Sequence, residues 1–250
     1  MSNTDVRVDI DGSQASITLV TEGGVNVAST AVLKKLREAI AKVASASGVR
    51  TTVVKAEGKV FLAGADIKEM APFNREQATE YGKLGQSAFN ELEALPSITV
   101  AAINGAAMGG GMELALACDF RIAVKSAKLA LPETSLGLIP GWNGIKRLTA
   151  LIGIAKAKKL YLTALPVSAE DGLAYGLVDE IVSEAGDLGP RVAAFCTSFK
   201  RAAPAAVAFA KKALCTGDDL SAFADCFETD DGREGMTAFI EKRPASWMEE

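Results

Sequence analysis

The hydrophobic and polar positions along this chain change period several times, and each change marks an element. Val6–Ile10 and Ala15–Val20 alternate or run apolar on either side of Asp11-Gly12-Ser13, which predicts a β-hairpin. Leu33, Leu36, Ile40 and Val43 then recur at helical spacing after Thr30, up to Gly48. A strand is expected over Val49–Ala56, and a strand end over 58–62 that runs into the small-residue turn Ala63-Gly64-Ala65. Glu76–Leu95 reads as a long amphipathic helix closed by Pro96, and Ser97–Ile103 as a buried strand leading through Asn104-Gly105 to Gly109-Gly110-Gly111. Helical character resumes at Met112–Cys118, with strands at Asp119–Val124 and Lys128–Leu131 and a loop at Leu136–Pro140. Helices are expected at Ile145–Ile152, Ala155–Thr163 and Ser168–Tyr175. Strand–helix alternation with short loops predicts an α/β fold. After Pro190 only helices are expected, over 191–200, 205–214, 220–229 and 233–240, which divides the chain into a core of residues 1–195 and a helical region of residues 196–250.

Composition narrows the chemistry. The 250 residues hold no histidine, which removes the commonest general base and metal ligand. The four cysteines (Cys118, Cys196, Cys215, Cys226) show no C-x-x-C or zinc-like spacing, so no metal site is expected and small buried or semi-buried thiols are the reading. With 49% hydrophobic and 23% charged residues the balance is that of an ordinary globular protein. A net charge of −4 argues against nucleic acid as the main partner. No apolar run reaches the roughly 18–20 residues that span a bilayer, and the polar, acidic N-terminus resembles no targeting peptide, so a cytoplasmic protein is expected.

Acid/base work therefore falls on other side chains, and two stand out. Glu113 is the only charge between Pro96 and Cys118, and Glu133 the only one between Lys128 and Lys146. A carboxylate among Gly, Ala, Leu and Met is costly to desolvate unless paired, hydrogen-bonded or used, and its pKa is readily pushed upward. Taken singly, either is equally readable as a satisfied helix residue; together they form a candidate acid/base pair. The turns at 63–65 and 109–111 let backbone N–H groups approach a ligand, and could offer a pair of donors to an oxygen that becomes negative. A plain flexible turn is the alternative for Gly109-Gly110-Gly111. No phosphate-loop pattern accompanies either turn.

Residues 59–70 (KVFLAGADIKEM), 103–114 (INGAAMGGGMEL), Cys118-Asp119, Leu131-Pro132-Glu133, 136–141 (LGLIPG) and 227–243 follow one another in an order that resembles the crotonase superfamily, the enoyl-CoA hydratase/isomerase family. The resemblance implies a spiral of repeated ββα units followed by a helical C-terminal region that builds trimers, often paired into hexamers. It implies an acyl-CoA substrate, with coenzyme A entering only as part of that substrate and no separate cofactor. By motif position, backbone N–H groups of Ala63 and Gly110 would stabilise an enolate-like oxyanion. Residues Ala63, Gly64, Ala65, Asp66 and Ile67 would line the coenzyme A path. Glu113 and Glu133 would hold and activate a water for addition across a 2,3 double bond, with Gly141 helping to orient it. Glu113 is assigned to water activation and Glu133 to the acid role. Phe239 and Lys242 match residues that help bind coenzyme A.

The chain departs from the family pattern in three places. Trp142, Asn143, Gly144, Ile145 and Lys146 replace the usual small residues and Thr-Gln before Arg147. Trp142 either reshapes the acyl pocket or packs into the core. Residues 21–27 (TEGGVNV) lack the Arg-Pro that usually precedes the Asn, which bears on contacts to the coenzyme A phosphates. By the resemblance, Met70–Lys83 matches a stretch that borders the acyl pocket in relatives and varies among them, so the sequence does not set a chain-length preference. Retention of both glutamates favours an enoyl-CoA hydratase over the rival readings, a double-bond isomerase of the same family or a non-catalytic assembly subunit.

Overall fold

The computed structural model describes residues 4–22 and 25–248, so Gly23-Gly24 of the segment without Arg-Pro lie outside the described residues. The expected hairpin forms: β1 (Asp5–Asp11) pairs antiparallel with β2 (Gln14–Val20) around the Gly12 turn. Helix α1 (Thr30–Ser45) starts at the N-cap Ser29, whose side chain accepts from Val32 N, and buries the Leu33, Leu36, Ile40 and Val43 stripe. The chain continues through β3 (Thr51–Ala56), β4 (Val60–Leu62), the short α2 (Ile67–Met70) and the long α3 (Arg75–Glu93). Asn74 and Gln77 close a reciprocal capping box at the start of α3. Next come β5 (Ile98–Ile103), β6 (Ala106–Met108), α4 (Gly110–Leu116), β7 (Phe120–Val124) and β8 (Lys128–Ala130).

The pairing explains why strands come in twos. β3, β5 and β7 lie side by side and parallel in a six-stranded sheet of order β1-β2-β3-β5-β7-β10, where β10 is Glu180–Val182. β4, β6 and β8 lie parallel in a second sheet, which ends at β9 (Val167–Ser168). Each circuit of the chain adds one strand to each sheet and then a helix, which is a ββα spiral. Such strands are covered on both faces and read as continuous apolar runs: all six residues of β5 are buried.

Helices α5 (Gly144–Ile152), α6 (Ile154–Thr163) and α7 (Ala169–Tyr175) follow. The next helix corrects the sequence reading. α8 runs Ala185–Thr197, straight through Pro190 and across the expected division at residue 195. Pro190 is exposed and the Leu188, Val192 and Cys196 stripe is buried, so packing against the sheet outweighs the lost hydrogen bond. The last helices are α9 (Pro204–Thr216), α10 (Asp219–Cys226) and α11 (Asp230–Glu241). Polar staples tie this tail to the core. Lys211 Nζ donates to Ser97 O at 2.7 Å and to Asp119 Oδ2 at 2.6 Å, and the Arg50 guanidinium donates to the carbonyls of Ala202 (2.8 Å) and Trp247 (2.6 Å). No described helix is long and apolar enough to cross a membrane.

Candidate active site

Glu113 lies in the first turn of α4, where the helix dipole favours a carboxylate, yet the residue is only 2% exposed. Its Oε1 accepts two backbone hydrogen bonds, from Trp142 N at 2.8 Å and Gly144 N at 2.9 Å. The approach is close: a Cβ on Gly144 would stand 2.6 Å from Glu113 Cγ. Burial pushes the Glu113 carboxyl up to about 7, against the opposing pull of those two amides and with a further push from the charge of Glu133.

Glu133 opens a single 3₁₀ turn, Glu133–Leu136, after β8. It too is raised, chiefly by burial, and its Oε2 is buried without a hydrogen-bond partner among the described residues. Gly109, at φ +52°, makes its placement possible, since a Cβ there would sit 2.8 Å from Glu133 Oε1. Both glutamates line one cavity of about 380 Å³, together with residues of the two small-residue turns. The structure thus brings Glu113, Glu133, Ala63, Gly64, Ala65, Ile67, Gly110, Gly141 and Trp142 to one place.

The backbone donors differ from the sequence expectation in one respect. The Ala63 N–H is already committed to the carbonyl of Asn26, at 2.9 Å, so it has no proton left for a ligand. One residue pair later the chain makes an isolated parallel bridge in which Ala28 N donates to Gly64 O (2.8 Å) and Asp66 N to Ala28 O (3.1 Å). In that pattern Ala65 contributes neither of its own polar groups to the bridge, and among the described residues its N–H has no acceptor. The Gly110 N–H, first in α4, likewise has none. The two turns abut: a Cβ on Gly64 would lie 3.6 Å from Gly110 N. Ala65 and Gly110 therefore each bring an unbonded amide to the cavity, one from either turn.

Three expected residues stand elsewhere. The Asp66 side chain caps α2, accepting from Lys68 N (3.0 Å) and Glu69 N (3.3 Å), and does not line the cavity. Phe239 is 86% exposed on α11, and Lys242 is the exposed C-cap of that helix; neither reaches the cavity of its own chain. Trp142 is a buried member of the hydrophobic core and also lines the cavity.

Sequence reading missed Gly144 as a donor, and within Met70–Lys83, the stretch expected to border the pocket, it did not single out Ala78, Tyr81 and Gly82 of α3 as lining residues. A signal was available for the last three: small and aromatic residues alternate at i, i+4 as Ala78–Gly82 and Tyr81–Gly85. Among the described residues no cluster of three or more His, Cys, Asp or Glu is arranged to hold a metal ion.

Comparison with known proteins points the same way along nearly the whole chain. The family model described as enoyl-CoA hydratase/isomerase matches residues 9–250. The short-chain-enoyl-CoA hydratase of Clostridium acetobutylicum is 36% identical over 97% of each chain, and the crotonyl-CoA hydratase of Syntrophomonas wolfei is 37% identical over 90% of each. Among solved structures, the enoyl-CoA hydratase from Bacillus anthracis superposes with a TM-score of 0.88 at 35% identity, over 98% of this chain and 100% of that one. A cavity with one buried and one half-buried carboxylate and unbonded amides from two turns, on a ββα spiral matched from residue 9 to residue 250, belongs to a member of the enoyl-CoA hydratase/isomerase family.

Proposed function

We propose that this protein is an enoyl-CoA hydratase that adds water across the 2,3 double bond of a 2-enoyl-CoA thioester. The observation that carries the reading is the convergence of Glu113 and Glu133 on one cavity beside the unbonded N–H groups of Ala65 and Gly110.

In this reading the thioester oxygen sits between those two amides. As water attacks C3, electron density moves through the conjugated system onto that oxygen, and fixed donors stabilise it without having to reorganise. Glu113 takes a proton from the attacking water. Two amides pin its Oε1, which orients Oε2 for the transfer. Glu133, whose buried and unpartnered Oε2 favours the protonated form, delivers a proton to C2 as the enolate collapses. The proton taken up by Glu113 then passes through solvent to restore Glu133, so the net result is water added as O–H on C3 and H on C2, with no change of oxidation state overall. Gly141 lines the cavity next to Trp142 and takes the water-orienting position.

The chemistry asks for no cofactor beyond the coenzyme A of the substrate, and the setting in this reading is the cytoplasm. Residues 196–250 serve assembly as a homotrimer or a dimer of trimers, in which Phe239 and Lys242 meet coenzyme A only after another copy has docked. Support comes from the apolar residues the tail leaves exposed, among them Leu214, Phe239 and Ile240.

The deciding assay is absorbance at the enoyl-thioester band on mixing with crotonyl-CoA. Hydration bleaches the band. No bleaching, combined with a rise in the band from a 3-enoyl-CoA, would replace hydration by double-bond isomerisation.

A further inference from the structure

The cavity has an open end and a closed end. Ile67, Leu138 and Ile139 stand at the open one, 48%, 45% and 68% exposed. Trp142 and Tyr81 stand at the closed one, 3% and 6% exposed. The phosphates of a coenzyme A ester cannot be buried cheaply, so they stay at the open end and the acyl chain points to the closed end.

The indole at that closed end is held from every side. A Cβ on Gly85 would lie 2.2 Å from Trp142 Nε1, and one on Gly110 would lie 2.1 Å from Trp142 Cζ3, so the ring fills the space that two missing side chains vacate. The rings of Tyr81 and Phe89 meet it edge-on, with centroids 5.4 and 5.3 Å away. Its backbone is fixed too, with the N–H on Glu113 and the C=O accepting from Arg147 Nη1 at 2.9 Å. A side chain confined in this way cannot swing aside for a longer substrate.

Its position relative to the chemistry is also fixed. Trp142 N donates to Glu113 Oε1 at 2.8 Å, so the residue that carries the indole also holds the carboxylate assigned to attack at C3. The side of the cavity is different. Ala78 and Gly82 face it from α3, and a Cβ on Gly82 would meet nothing within 4 Å.

We infer that Trp142 is the specificity-determining residue for acyl length: its indole is a fixed stop that admits a four-carbon 2-enoyl chain and turns away long straight ones, while the space at Gly82 leaves lateral room. This rests on the hydratase reading and adds the substrate class and the residue that sets it.

The test compares kcat/KM for crotonyl-CoA and trans-2-decenoyl-CoA in the wild type, Trp142→Ala and Gly82→Leu. Competitive inhibition by butyryl-CoA and decanoyl-CoA, which carry no double bond to hydrate, reads the acyl space without the chemistry. The wild type should prefer the four-carbon chain in both assays. Trp142→Ala should shift the ratio towards the ten-carbon chain by about tenfold or more, the discrimination a hydrophobic pocket achieves over one or two methylenes. Gly82→Leu, at a helix position where leucine is the better former, should sharpen the short-chain preference. If Trp142→Ala fails to fold by circular dichroism, the wild-type inhibitor ratio and Gly82→Leu decide the matter. A wild type indifferent to chain length, or a folded Trp142→Ala variant with unchanged ratios, overturns the inference and leaves the hydratase reading intact. Absence of any crotonyl-CoA hydration overturns that reading instead.

Discussion

The spiral core and the helical tail treat their apolar residues in opposite ways. α1 buries Val32, Leu33, Leu36, Ala39, Ile40 and Val43, whereas α9, α10 and α11 each bury a single alanine: Ala213, Ala222 and Ala238. Leu214, Leu220, Phe239 and Ile240 of the tail are 87%, 79%, 86% and 79% exposed. Conversely, the core buries a carboxylate, and the Glu113 side chain is more secluded than any of those tail apolar groups. The core turns its hydrophobic surface inward around a polar pair, and the tail leaves its hydrophobic surface exposed. The first supports the proposed chemistry and the second the proposed assembly.

The strongest way to sharpen this contrast is to neutralise the core carboxylates. Glu113→Gln and Glu133→Gln should each lower kcat by roughly 10²–10⁴-fold, the usual value of a general acid or base, while circular dichroism and particle mass stay unchanged. Near-normal turnover in either variant would remove that residue from the mechanism. Gly144→Ala comes next. Its Cβ would press on Glu113 Cγ from 2.6 Å, and a misplacement of that order should cost about 10²-fold in kcat.

The tail should respond in the opposite sense. Paired Phe239→Asp and Ile240→Asp substitutions should reduce the mass seen by light scattering to that of a monomer at micromolar concentration. A wild type already monomeric under those conditions would break the comparison.

Titration provides a subtler measurement. Glu113 must be ionised to accept a proton and Glu133 protonated to give one, so kcat/KM should form a bell. Its acid limb falls as pH drops through about 7, and the two apparent constants belong to the coupled pair. The smallest effect is on stability. Folding raises Glu113 from its ordinary value of 4.5 to about 7, so the stability linked to this group is complete below pH 4.5 and lost as pH rises through 7. Glu113→Gln keeps an oxygen for both amides and carries no charge. It should therefore exceed the wild type at pH 8 by on the order of 3 kcal/mol in denaturant unfolding, and match it near pH 4.

Long periodic segments were legible from sequence because one physical rule dominates each. The α1 stripe and the β1–β2 hairpin are examples, bounded as expected to within one or two residues. β6, β9 and β10 were not: two or three residues show no period, β6 lies inside the small-residue stretch 104–111, and β9 and β10 lack the small-residue turn or proline that directly follows the equally short β4 and β8. Pro190 misled because a local rule met a stronger nonlocal one, the packing of Leu188, Val192 and Cys196. The site shows the same divide. Glu113 and Glu133 were conspicuous as lone charges in apolar sequence. That the Ala63 amide is taken and the Ala65 amide is left unbonded depends on Asn26 and Ala28, some 37 residues away, and no reading of the turn itself contains that information.

The Gly85–Trp142–Gly110 sandwich makes the evolutionary route into and out of this site directional. Neither glycine can acquire a side chain while the indole is in place, because both Cβ positions fall within 2.2 Å of ring atoms. Once position 142 has become small, both constraints relax together, and the three positions must show strong epistasis. A library that varies 85 or 110 first will return only dead clones. One that shrinks 142 first reaches combinations that single-site scanning never samples.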